Sequence, residues 1–71
     1  MRDNAMPMKL LREPDGSYTA IWTEANGVQF TIESPSWRKL VNQLHRLGFR
    51  EGIPFEDEIP DGIGVLERAM R

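Results

Sequence analysis

Along residues 18–32, apolar and polar positions alternate on both sides of an Asn26-Gly27 step. Tyr18, Ala20 and Trp22 precede it; Val28, Phe30 and Ile32 follow it. Period-two alternation rich in β-branched and aromatic residues around Asn-Gly predicts an antiparallel hairpin. Loop length decides its register. A two-residue loop at Asn26-Gly27 sets Thr23 opposite Phe30 and turns Trp22 away from Val28, Phe30 and Ile32. A three-residue loop, Ala25-Asn26-Gly27, sets Trp22 opposite Phe30 and Ala20 opposite Ile32, so the whole apolar set shares one face. A slip of one residue flips that set, and each large apolar side chain buried is worth roughly 1.5–3 kcal/mol. The three-residue loop is therefore expected, with Gly27 left-handed.

Residues 8–13 read as a preceding strand, joined by the turn Pro14-Asp15-Gly16. A second three-residue loop pairs Arg12 with Tyr18, Leu10 with Ala20 and Met8 with Trp22. Both hairpins select the same face, which predicts a three-stranded antiparallel meander. The other face carries Lys9, Leu11, Thr19, Ile21, Thr23, Gln29, Thr31 and Glu33. It is mostly polar, but Leu11 and Ile21 are near neighbours there and form a candidate docking or dimer surface.

The period then changes. Trp37, Leu40, Val41, Leu44 and Leu47 form one helical stripe. Ser34 is expected to cap this helix with Pro35 at its first position. Gly48 is expected at the C-cap, and Phe49 to fold back on the last turn. Residues 50–60 read as an irregular segment, or a brief edge strand near 53–55, with Ile53, Phe55 and Ile59 available to dock on the core. A short final helix over about residues 63–70 would present Ile63, Leu66, Ala69 and Met70. Gly62 and Gly64 weaken its start by roughly 1 kcal/mol each. The expected architecture is α+β, in the order β-β-β-α-α: a meander with one main helix on one face and a short C-terminal helix. Residues 1–7 are expected to be a flexible tail and residues 8–71 a single domain.

Composition narrows the chemistry. At 71 residues the chain affords one small core of marginal stability. It has no cysteine, which excludes disulfides and thiolate metal ligands and suits a reducing compartment. No long apolar run or signal-peptide core is visible, so a soluble cytoplasmic protein without a membrane partner is expected. A net charge of −2 argues against a strongly basic nucleic-acid binder but leaves local patches open.

Catalytic residues, metal ligands and cofactors are not expected. His45 is the single histidine and lacks companions for a zinc site. Ser17, Ser34 and Ser36 have no base motif around them. Glu56-Asp57-Glu58, flanked by Glu51 and Asp61, lacks the glycine-centred spacing of a calcium loop and reads instead as an ordinary solvated loop or as a contact surface for a basic protein. Arg38, Lys39, Arg46 and Arg50 lie on a helix without an acid and could contact phosphates. Trp37 and Phe30 are assigned to the core rather than to base stacking.

Two resemblances bear on function. Pro14-Asp15-Gly16-Ser17-Tyr18-Thr19 resembles the first hairpin of HicB-type antitoxins, although the proline-rich centre of that family is missing. Gly62-Ile63-Gly64-Val65-Leu66-Glu67-Arg68-Ala69-Met70 resembles the last helix of a small phage-encoded anti-CRISPR family that acts on type I-F surveillance complexes and has an antiparallel sheet followed by two helices. That likeness implies a small phage or prophage protein occupying a surface on a larger host machine; no contact residue carries over. The functional expectation is thus a non-enzymatic inhibitor-like protein that binds and sterically modulates a larger host protein or complex. The alternatives are a nucleic-acid-binding regulator using the basic helix and a homodimeric structural protein.

Overall fold

A computed structural model of the chain describes residues 5–62 and 64–71. Its elements are β1 (Met6–Arg12), β2 (Tyr18–Thr23), β3 (Gln29–Ser34), α1 (Trp37–Arg46), a 3-10 turn (Glu56–Glu58) and β4 (Leu66–Met70). The strands form an open, wholly antiparallel sheet in the order β3-β2-β1-β4.

Both hairpins have the expected register. Met8 pairs with Trp22, Leu10 with Ala20 and Arg12 with Tyr18. Trp22 pairs with Phe30 and Ala20 with Ile32. The two loops close alike: Glu13 N–H donates to the Ser17 carbonyl and Gly16 N–H to Glu13, while Glu24 N–H donates to Val28 and Gly27 N–H to Glu24. Gly16 and Gly27 take φ of 90° and 87°, the left-handed backbone that such loops require.

The C-terminal segment departs from expectation. Residues 66–70 are not a helix but a fourth strand on the outer edge of β1, with Met6 opposite Met70, Met8 opposite Arg68 and Leu10 opposite Leu66. An eight-residue helix entered through glycines is marginal alone. Pairing with β1 instead satisfies an otherwise open ladder and buries Met70 completely. The same pairing draws Met6 and Pro7 into β1, so the expected tail shortens; residues 1–4 lie outside the described part. The β1–β2 pairing ends at Met8 opposite Trp22, so the missing N–H of Pro7 costs it no bond.

Helix α1 starts two residues later than expected. Its N-cap is Ser36, whose hydroxyl accepts from Lys39 N–H, rather than Ser34. Ser34 instead ends β3, buried, and donates to Gln43 Oε1 at 2.6 Å. The C-terminus closes as expected: Phe49 N–H bonds the Leu44 carbonyl and Gly48 N–H bonds His45, with Gly48 at φ 100°. These paired bonds form a Schellman motif, which delivers Phe49 into the core edge-on to Trp22 at 5.4 Å.

The core lies between the sheet and α1. Met8, Leu10, Ala20, Leu40, Leu44 and Phe49 are at 1% exposure or less, and Tyr18 packs edge-on against Trp37. Val28, Phe30, Leu47 and Phe55, all expected inside or docked on the core, are exposed by 42–76%. Alternation puts Val28 and Phe30 on the helix side, but the cover ends before the hairpin tip. Ile53 and Ile59 do dock, while residues 53–55 form no strand.

Candidate interaction surfaces

The acidic segment stays exposed, but three of its carboxylates are engaged by internal partners. Tyr18 Oη donates to Glu56 Oε2 at 2.7 Å, from a ring that is 3% exposed. Glu58 accepts Phe55 N–H and Arg68 Nη2, each at 2.7 Å. Asp61 pairs with Arg12 at 3.0 Å, and the Arg12 guanidinium lies 5.7 Å over the Tyr18 ring. These contacts tie residues 55–61 to β1, β2 and β4. They also set the titration of the group. The bond to Glu56, and then burial, raise Tyr18 above the usual phenol range, against the opposing charge of Arg12. The Phe55 amide, and then Arg68, hold Glu58 below the usual carboxylate range. A shallow concavity of about 360 Å³ lies over the cluster, lined by Arg12, Tyr18, Glu56, Asp57, Ile59 and Asp61. All five expected contact acids are exposed; Glu56, Glu58 and Asp61 act as a clasp, while Asp57 and Glu51 flank it. Glu51 also exchanges two backbone hydrogen bonds with Arg71. No cluster of three or more His, Asp or Glu side chains suited to a metal occurs among the described residues.

The open sheet face is wider than expected because β4 joins it. Leu11 and Ile21 are diagonal neighbours, both half-buried. β4 adds Glu67 opposite Lys9 and Ala69 opposite Pro7. A concavity of about 220 Å³ here is bordered by Pro7, Lys9, Ile21, Thr23, Gln29 and Glu67. The face sets four apolar residues, Pro7, Leu11, Ile21 and Ala69, among polar ones.

Arg38, Lys39, Arg46 and Arg50 are all exposed. Arg50 lies beyond the end of α1 rather than on it; the guanidinium–carboxylate pairs among the described residues use Arg12 and Arg68, so all four cations stay available to solvent.

A fourth surface was not anticipated. β3 is an outer strand of the sheet. Glu24 N–H faces Val28 across the hairpin, so alternation directs the backbone groups of Phe30 and Ile32 toward β2 and those of Gln29, Thr31 and Glu33 outward. Phe30 is stacked on Trp22 at 5.6 Å but 42% exposed; Val28 and Leu47 beside it are 49% and 45% exposed. A shallow groove of about 260 Å³ lined by Ile32, Gln43, Arg46 and Leu47 runs between β3 and the end of α1. Sequence periodicity assigns Val28, Phe30 and Leu47 to the correct side but gives no measure of how far α1 reaches over it.

Comparison with protein-family models, curated proteins and solved structures finds no match. The anti-CRISPR likeness rested on residues 62–70 as a helix and on element order; residues 66–70 are β4, and Ile63 lies outside the described residues. No helix among the described residues is long and apolar enough to cross a membrane.

Proposed function

We propose that the chain is a non-enzymatic binding protein that acts by steric occupation of a protein partner, docking through the β3 edge and its apolar margin. One observation carries this reading: the outward backbone groups of β3 adjoin the exposed Val28, Phe30 and Leu47 side chains. An unpaired strand edge offers main-chain hydrogen bonds, and alternate side chains beside it offer apolar contact. This is the chemistry by which a sheet accepts an added strand. The acidic segment takes a supporting part, since Glu56, Glu58 and Asp61 already serve internal partners.

Affinity capture with the full chain as bait tests the reading. Capture of a stable protein partner by the native chain, lost with Phe30→Arg and retained with Asp57→Asn, is the expected result. Equal capture by the Phe30 variant would move the site elsewhere.

The exposure of Arg38, Lys39 and Arg46 on α1, and of Arg50 beyond it, favours nucleic-acid binding as a second reading. It requires an affinity that falls steeply with salt and with Arg38→Ala or Arg46→Ala.

A further inference from the structure

We infer that in the free chain the β3 edge is occupied by a second copy, through antiparallel β3–β3 pairing about a two-fold axis at Thr31. The inference rests on the reading of this edge as the binding surface and names one occupant of it. The pairing is isologous, so β3 must complement itself. With Thr31 opposite Thr31 of the second copy, Gln29 meets Glu33 and Phe30 meets Ile32, each twice.

Every outward backbone group on the strand then finds a partner. Three residue pairs, each exchanging two bonds, give about six new main-chain hydrogen bonds. The amide of Gln29 can donate to the carboxylate of Glu33. On the helix side, Phe30 of one copy lies beside Ile32 of the other, at the mouth of the groove lined by Ile32, Gln43, Arg46 and Leu47. That contact covers the 42%-exposed phenyl ring and the groove together.

Other registers fit less well. Centring on Glu33 sets like charges face to face, which is destabilising in a cross-strand pair. Centring on Phe30 places Glu33 opposite the Gly27 turn and wastes its outward groups. β3 also carries no lysine, proline or bulge, the usual devices that keep an edge single.

The test is light scattering on the full chain across a concentration series. The native chain is expected to rise from 8.2 kDa toward twice that mass. Thr31→Pro is expected to stay at 8.2 kDa with the thermal unfolding profile that the native chain shows at high dilution, because the N–H it removes bonds nothing within one copy. Gln29→Glu opposes Glu33 and should weaken association roughly fivefold; Gln29→Lys should tighten it by a similar factor. The Gln29 pair decides the matter even if Thr31→Pro does not fold. A native chain that stays at 8.2 kDa throughout overturns the inference, as does association indifferent to these substitutions. In either case Phe30-dependent partner capture would still stand, so the two readings fail separately.

Discussion

β3 and β4 lie at opposite margins of one sheet, yet the segment between α1 and β4 packs along β4 and leaves the β3 margin bare. At β4, Glu51 and Arg71 exchange backbone hydrogen bonds, Arg50 N–H also reaches the Arg71 carbonyl, and Gly52 lies against the Ala69 carbonyl. Arg68 lays its stem along the buried face and sends its charge to Glu58. Met70 is fully buried. At β3 the corresponding large side chain, Phe30, is 42% exposed, and the outward groups of Gln29, Thr31 and Glu33 face solvent. Edges invite pairing. The fold braces one margin at its Arg71 end and leaves the other bare beside exposed apolar side chains.

The contrast can be broken by substitution. Met70→Ala should leave a cavity at the covered margin and cost about 3–4 kcal/mol in denaturant unfolding. Phe30→Ala should cost only about 1 kcal/mol, mainly its stacking on Trp22. Equal costs would mean that the margins are equally packed.

Gly52→Ala comes next. Its φ is 89°, and an added Cβ would meet the Ala69 carbonyl oxygen, so a loss of about 2–3 kcal/mol is expected, with faster amide exchange across β4. A change at Gly27, where nothing lies within 4 Å, carries only the conformational strain of φ 87° and should cost less.

Tyr18→Phe removes the bond that holds the 3-10 turn against the sheet and should cost about 1 kcal/mol at neutral pH. Tyr18 is raised above its ordinary value, so the folded chain holds that proton more tightly than the unfolded chain. Its contribution is complete below the ordinary phenol range of about 10 and is lost as pH climbs through the raised value. The variant should flatten the alkaline limb of a stability–pH curve.

The smallest effect is expected from Glu58→Gln. Glu58 is lowered by the Phe55 amide and then by Arg68, so its contribution is present above the ordinary carboxylate value of about 4.3 and disappears as pH falls through the lowered one. The variant should soften the acid limb by lowering stability slightly near neutrality and leaving it unchanged at low pH.

What was legible in the sequence follows from the range of the forces involved. Asn26-Gly27 and Asp15-Gly16 are local signals, and alternation beside each turn settles one register, so both hairpins are readable. The Gly48–Phe49 helix ending is local in the same way. β4 is not, because its partner β1 lies some 60 residues away and the Leu66, Arg68, Met70 alternation is interrupted by a charge whose stem, rather than its head, packs inward. Ser34 and Ser36 both offer a capping hydroxyl, and only the end of the β3 pairing decides between them. The candidate sites divide likewise. The acids of residues 56–61 are visible as a cluster, but their partners Tyr18, Arg12 and Arg68 come from three strands. The exposure of Phe30 depends on where a ten-residue helix stops.

Amide hydrogen exchange at a low and a high protein concentration tests the β3 edge most directly. At low concentration the Gln29, Thr31 and Glu33 amides should exchange rapidly while the Arg71 amide, bonded to Glu51, is protected. Raising the concentration should protect Gln29, Thr31 and Glu33 selectively. Protection of those three at every concentration, or of none at any, would contradict an edge held open for pairing.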